Sequence, residues 1–316
     1  MSSFLSRLLA CTLLSVTCAG AAHATKLAII GFQMSSETHA RVVNAAKAKA
    51  ESMGWDVQVL NSKGDMSTHI NQLETVLLTQ PDGIIIAMGK PLQSGDQYRK
   101  ASEAGIPLVT VMSGTSPDAL VDIAVNEYSA GAQAALYLLD HLNYRGNILT
   151  QRFEGNAGTR IRGKILDVVL SENPAVKVIG SHTMARTASW RDDVQAGMNA
   201  LLLKNQGKVD GIWASFDAQA YIIDDILRQQ GASKGKPVLV SIDGGAETYR
   251  RIADPASLLM ATVMIPFEKM GEKAVDVIDS IAVGKASRDT VAHGPYIYMD
   301  AELVDASNVE QYVKKD

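Results

Sequence analysis

The chain has 316 residues, with 30 basic against 34 acidic side chains, a formal net charge of −4 and 47% hydrophobic residues. With no basic cluster in that slightly acidic balance, nucleic acid and anionic membrane surfaces are not the expected partners. Both cysteines, Cys11 and Cys18, lie within the first 24 residues. If that segment is removed, no thiol remains for disulfide, zinc, iron–sulfur or nucleophilic chemistry.

Removal is what the first residues predict. Arg7 ends a short polar start, Leu8 to Ala21 form one apolar run, and Ala22-His23-Ala24 offers small residues at the two positions a signal peptidase reads. The run is too short to anchor the chain in a bilayer, and no later stretch reaches spanning length without a charge. Leu8-Leu9-Ala10-Cys11 has the look of a lipid-attachment box, but a cut there leaves almost no apolar region upstream. The expected product is a soluble chain beginning near Thr25, long enough for two lobes that each bury a core.

From there short apolar runs alternate with 3.6-residue patterns, the signature of βαβ units and parallel sheet. Leu27 to Ile30 reads as a buried strand, and residues 36 to 53 as a helix stopped by Gly54. A strand over residues 56 to 60, a polar helix over 66 to 79, a strand over 83 to 87, a helix ending before Gly105 and a strand over 107 to 111 complete one set. After an alternating stretch over 121 to 125 the pattern restarts. Helices are expected near residues 130 to 142, 162 to 170, 191 to 203 and 218 to 230, and strands at 147 to 150, 176 to 181, 211 to 214 and 237 to 242.

The restart is visible in letters. Pro81-Asp82-Gly83-Ile84-Ile85-Ile86-Ala87 echoes Lys208-Val209-Asp210-Gly211-Ile212-Trp213-Ala214, and Ile106 to Val111 echoes Lys236 to Ile242. The expected fold class is α/β, with two similar doubly wound parallel-sheet lobes joined by a three-strand hinge. Residues 25–126 plus 266–294 would form one lobe and 127–265 plus 295–316 the other, with crossings near Asn126, Ile265 and Gly294. Open α/β sheets bind ligands at the carboxyl ends of their strands, so a ligand would sit between two such edges.

Catalytic motifs are missing. Gly158 to Lys164 nearly spells a phosphate-binding loop, but Ile165 stands where a hydroxyl should hold magnesium. There is no GxGxxG after the first strand, no HExxH and no GxSxG elbow. The six histidines are scattered singly, and the neighbouring pairs Asp192-Asp193 and Asp224-Asp225 diverge on a helix. No catalytic residue, metal or cofactor is expected.

The order of elements, the export signal and several strings together resemble the periplasmic sugar-binding proteins of ABC transporters, the type I group typified by ribose-binding protein. The most specific strings are Glu154-Gly155-Asn156-Ala157-Gly158 running to Arg162-Gly163, Trp190-Arg191-Asp192, Ser241-Ile242-Asp243-Gly244, and Glu302 to Asp305 leading to Asn308-Val309. The resemblance covers essentially the whole chain after the leader. It implies a hinged periplasmic receptor, expected to be a monomer, that closes on a small ligand and docks on an ABC permease without chemistry.

Carried over by position, the resemblance makes Arg162 and Asp243 hydrogen-bonding partners of sugar hydroxyls and Trp190 a stacking surface. Gln33, Ser35 and His39 would contribute from the other lobe, and Met112, Ser113, Phe216 and Asp217 would complete the ligand-binding set. A planar guanidinium beside a carboxylate suits a vicinal diol, and an indole face suits the C–H side of a sugar ring. Other roles stay open: a cap or surface pair for Arg162, core packing for Trp190, turn chemistry for Asp243 before Gly244.

Ala87, Met112-Ser113, Phe216 and Ile265 stand where relatives place polar groups, so ribose itself is not the expected ligand. A deoxy, smaller or less polar sugar or polyol is expected. The alternatives are a nonsugar ligand, such as a nucleoside or signalling molecule, with a sensor kinase as membrane partner, and an exported glycoside hydrolase using Asp243 with Glu154 or Asp217.

Overall fold

A computed structural model describes residues 24–313. The expected leader therefore lies outside the described residues except for Ala24. Among the described residues no helix is long and apolar enough to cross a membrane.

The first half alternates strand and helix: β1 (Lys26–Gly31), α1 (Glu37–Ser52), β2 (Asp56–Asn61), α2 (Met66–Leu78), β3 (Gly83–Ala87), α3 (Gly95–Glu103), β4 (Leu108–Val111) and β5 (Val121–Val125). The second half repeats it with α4 (Glu127–His141), β6 (Gly146–Arg152), α5 (Ala157–Ser171), β7 (Val176–Thr183), α6 (Trp190–Lys204), β8 (Gly211–Ala214), α7 (Asp217–Gln229), β9 (Val238–Asp243), α8 (Ala246–Ala253) and β10 (Leu259–Met264). Then come α9 (Phe267–Ile278), α10 (Arg288–Val291), β11 (Tyr296–Met299) and β12 (Glu302–Asp305).

Two six-stranded sheets result, in the orders β11-β5-β4-β3-β1-β2 and β12-β10-β9-β8-β6-β7. The orders superimpose position for position, and the two echoed strings occupy β3 with β8 and β4 with β9. All ladders are parallel except β10 with β12. The central strands are apolar throughout, as Gly83–Ala87 illustrates with five buried residues in succession, because helices cover both faces of each sheet.

The chain passes between the sheets three times: at Asn126, where β5 gives way to α4 packed on the second sheet; at Ile265-Pro266, where β10 gives way to α9 packed on α1; and at Asp300-Ala301. The last differs from the sequence expectation of Gly294. Tyr296–Met299 pairs in parallel with Asp122–Val125, so residues up to 299, which the sequence division gave to the second lobe, extend the first sheet.

Candidate functional site

The carboxyl ends of the two sheets face each other. Arg41 on α1 donates from Nη1 to the carbonyl oxygen of Gly244, just past β9, while its Nε and Nη2 hold Glu268 on α9. Gly245, at φ +150°, lies against the Glu37 carboxylate. That backbone conformation favours glycine, and the position of a Cβ there is 2.8 Å from Glu37 Oε1.

Four non-glycine residues at these edges have positive φ: Lys63 (54°) after β2, Met88 (55°) after β3, Met112 (51°) after β4 and Asp243 (146°) at the end of β9. Such conformations cost of order 1–3 kcal/mol each and persist where surrounding bonds over-determine them. Met88 donates its N–H to Val111 and Met112 to Ile123, which locks both turns to neighbouring strands.

Arg162, on α5 and only 3% exposed, organises the second-lobe side. It donates from Nε and Nη2 to Glu127 Oε2 and Oε1 (2.6 and 3.1 Å), and from Nη1 to the Ser215 carbonyl oxygen (2.9 Å) and to Asp243 Oδ1 (3.0 Å). Four of its five N–H groups are thus used, and one Nη2 hydrogen has no partner among the described residues. Asp243 Oδ2 is likewise without a partner among them. A donor and an acceptor side by side remain for a ligand.

Gly131 makes this possible by letting α4 approach α5 closely; a Cβ there would lie 3.0 Å from the Arg162 Cα. Burial pushes the Asp243 carboxyl up to about 7, opposed by Arg162 and assisted by Asp217 and Glu127. Burial would lower the Arg162 pKa, but the Glu127 and Asp243 charges outweigh it and hold the guanidinium charged.

Asp217 belongs beneath the cleft rather than in it. Its Oδ1 accepts from the hydroxyls of Ser241 and Thr262, and its Oδ2 from Gly244 N–H and the Thr248 hydroxyl. With its four acceptor directions filled, it fixes the loop that carries Asp243 and has no capacity for a sugar hydroxyl. Ser113 is similar: its hydroxyl accepts from Gly89 N–H and faces the Val111 carbonyl, while its own N–H goes to Asp122. Asp122, whose carboxyl burial pushes up to about 6, is the first lobe's counterpart of Asp217, accepting from Thr110, Ser113 and Gly114.

Trp190, at the start of α6, and Phe216, after β8, are half-buried with ring centroids 5.9 Å apart; Phe153 adds a third ring 6.1 Å from Phe216. Arg191 covers one Trp190 face at 4.4 Å. On the first lobe, Gln33 N–H donates to His39 Nδ1, leaving Nε2–H as the donor of a neutral ring whose pKa burial and Lys90 lower to about 3. The Gln33 side chain lies beside Gly64, while Ser35 is exposed. Met112 is half-buried. Ala87 and Ile265, two of the four apolar replacements, are fully buried core residues.

The sequence reading therefore finds Arg162, Asp243, Trp190 and Phe216 together, His39 and Gln33 opposite, and Asp217 and Ser113 spent on loop structure. It misses Glu127, Phe153 and Lys90. Glu127 had a signal, as the first acidic residue after the Asn126 crossing; Lys90 had another, as a cation just past the carboxyl end of the all-apolar β3. No group of three or more metal-ligating side chains occurs among the described residues.

Comparison with known proteins fits this architecture. The profile of the periplasmic binding protein domain matches residues 27–286. The xylitol-binding protein of Mycolicibacterium smegmatis is 30% identical over 202 residues, which span 63% of this chain and 55% of that protein. The D-apiose import binding protein of Paraburkholderia graminis is 25% identical over 278 residues, 86% of either chain. An ABC sugar transporter subunit from Rhodobacter sphaeroides superimposes with a TM-score of 0.77 at 25% identity, covering 90% of this chain and 99% of that one. Two topologically matched lobes meeting at their carboxyl edges, together with a family match running from β1 past α9, place the chain in the periplasmic binding protein family.

Proposed function

We propose that this protein is an exported periplasmic receptor, cleaved after Ala24, that closes as a monomer on a small carbohydrate or polyol and passes it to an ABC permease. The observation that carries the reading is the Arg162–Asp243 pair at 3.0 Å, with one free guanidinium hydrogen and one free carboxylate oxygen adjacent. That donor–acceptor couple suits two neighbouring hydroxyls, and the rings of Phe153, Trp190 and Phe216 supply an apolar surface for the C–H face. Xylitol- and apiose-binding relatives support the same ligand class.

Closure would pivot at Asn126, Ile265-Pro266 and Asp300-Ala301, and only a ligand touching both lobes would shift the equilibrium. In this reading the work is binding; of the two partners a glycosidase could pair with Asp243, Asp217 is already saturated by four protein donors. The test is a thermal-shift screen of residues 25–316 against pentoses, hexoses, alditols, sugar acids, nucleosides and amino acids. A ligand at ~1,000 times its dissociation constant adds ~4 kcal/mol of stability. A response to a sugar or polyol, neutral or acidic, supports the reading; a response confined to nucleosides or amino acids overturns the ligand class.

A further inference from the structure

Lys90 is the anomaly of the cleft. It follows β3 at the carboxyl edge of the first sheet and is half-buried, yet its ammonium has no hydrogen bond and no carboxylate partner among the described residues; its one contact is the Phe32 ring at 5.3 Å. Partial burial strips some hydration from the ammonium, and a ring face replaces only part of it. The nearby groups of its own lobe give no compensation: His39 is neutral, with Nδ1 accepting from Gln33, and His69 is also neutral.

The opposite lobe makes the imbalance larger. Arg160, in the first turn of α5, and Arg186, between β7 and α6, act electrostatically on Lys90, and neither forms an ion pair among the described residues. Arg160 spends one N–H on the Glu154 carbonyl oxygen. Of the acidic groups at these edges, Glu127 and Asp243 are held by Arg162, Asp217 by four loop donors, and Glu37 lies against Gly245; among the described residues none of these, nor Glu154, forms an ion pair with Lys90, Arg160 or Arg186. Closing the lobes therefore brings one cation of the first against two of the second. Burial and these two arginines both lower the Lys90 pKa, as expected of an ammonium awaiting a counter-charge.

We propose that the ligand is a sugar acid, its carboxylate seated between Lys90 of one lobe and Arg160 and Arg186 of the other, and its hydroxyls on the Arg162–Asp243 pair. This rests on the carbohydrate-receptor reading and narrows it. A neutral polyol would leave three like charges facing one another on closure, whereas a carboxylate bridges them, so the same charges reject the uncharged analogue.

The test is calorimetric titration of residues 25–316 with matched pairs of five-carbon alditols and aldonates (xylitol and xylonate, ribitol and ribonate, arabitol and arabinonate), with ribose 5-phosphate as a second anion. The expected result is at least one aldonate bound 10-fold or more tightly than its alditol, with affinity falling as salt rises. Lys90→Gln should weaken aldonate binding at least tenfold more than alditol binding and so abolish that preference, Lys90→Arg should keep it, and the exposed Arg186→Gln should reduce it partially.

An alditol bound as tightly as its aldonate, or a Lys90→Gln loss shared equally by both, overturns the acid assignment and leaves the receptor reading standing. Binding of the phosphate ester alone overturns the carboxylate. Silence from all of these and from every sugar of the wider screen overturns the receptor reading, and this inference with it.

Discussion

Arg162 donates to Asp243 Oδ1 at 3.0 Å while the same guanidinium clasps Glu127 through two further hydrogen bonds, so the Asp243 carboxylate at the cleft edge is oriented by a buried pair behind it. The two acids are therefore not equivalent. Asp243 lies at the strand edge with one oxygen free, and its replacement leaves the Arg162–Glu127 pair intact. Asp243→Ala should raise the Kd for ligand at least 100-fold, about 2.7 kcal/mol, with circular dichroism unchanged. Affinity retained within about 1 kcal/mol would place the binding cleft elsewhere.

Asp217 should behave in the opposite way. Its removal takes the acceptor from the hydroxyls of Ser241 and Thr262, and leaves the Gly244 N–H with only the 3.3 Å contact to Thr262 Oγ1 and the Thr248 hydroxyl with only Tyr221, all in buried surroundings. Asp217→Ala should cost roughly 3 kcal/mol or more in urea unfolding, because buried donors left without acceptors carry their full desolvation penalty. A variant of native stability that merely loses affinity would return Asp217 to the ligand-contacting set.

The contrast between these two aspartates marks how far the sequence can be read. Apolar runs such as Gly83–Ala87, and the echo of that run in Gly211–Ala214, carry the parallel sheets and their duplication, because strands covered on both faces must be continuously apolar. The placing of Arg162, Asp243 and Trp190 at one sheet edge was legible through family strings. Asp217 was not, since its four partners lie 24 to 45 residues away and a carboxylate opening a helix looks the same whether it meets a sugar or a loop. Tyr296–Met299 was misassigned for a related reason: an edge strand with alternating exposure does not say which of two sheets it joins.

Trp190 offers an optical readout. Trp213 is fully buried and Trp55 nearly so, while Trp190 is half-buried beside Phe216 at the cleft edge. Ligand should change the intrinsic tryptophan fluorescence, and Trp190→Phe should remove most of that change at a modest cost in affinity. Phe216→Ala should weaken binding about 10-fold, roughly 1.4 kcal/mol, through loss of the apolar surface. A full fluorescence response in Trp190→Phe would assign the signal to a tryptophan away from the cleft.

Arg41 spans the lobes, holding Glu268 of its own side and the Gly244 carbonyl of the other. The contact with Gly244 exists only when the lobes are together, so it favours the closed form whatever the ligand. Arg41→Gln should raise Kd about fivefold, near 1 kcal/mol, and should do so by faster release. Stopped-flow measurements separate the rates; a slower association with unchanged release would contradict a closed-state contact.

His69 sets a pH dependence. It is fully buried, and Ser62, whose hydroxyl donates to Gln72, accepts from Nδ1–H. Its Nε2 then faces no partner among the described residues, and a proton there would have no acceptor. Burial, aided by Lys90, lowers the His69 pKa to about 4. Below pH ~6.5 the unfolded chain takes up a proton that the folded chain refuses until about pH 4, so this residue's contribution to stability falls as pH drops through that window. Asp243 and Asp122, with raised pKa values, act in the opposite direction, which makes a difference measurement necessary. His69→Gln should be less stable than the parent at pH 8, and its deficit should shrink by about 1 to 3 kcal/mol between pH 6.5 and 4.5. A deficit constant across that range in urea titrations would mean that His69 titrates alike in both states.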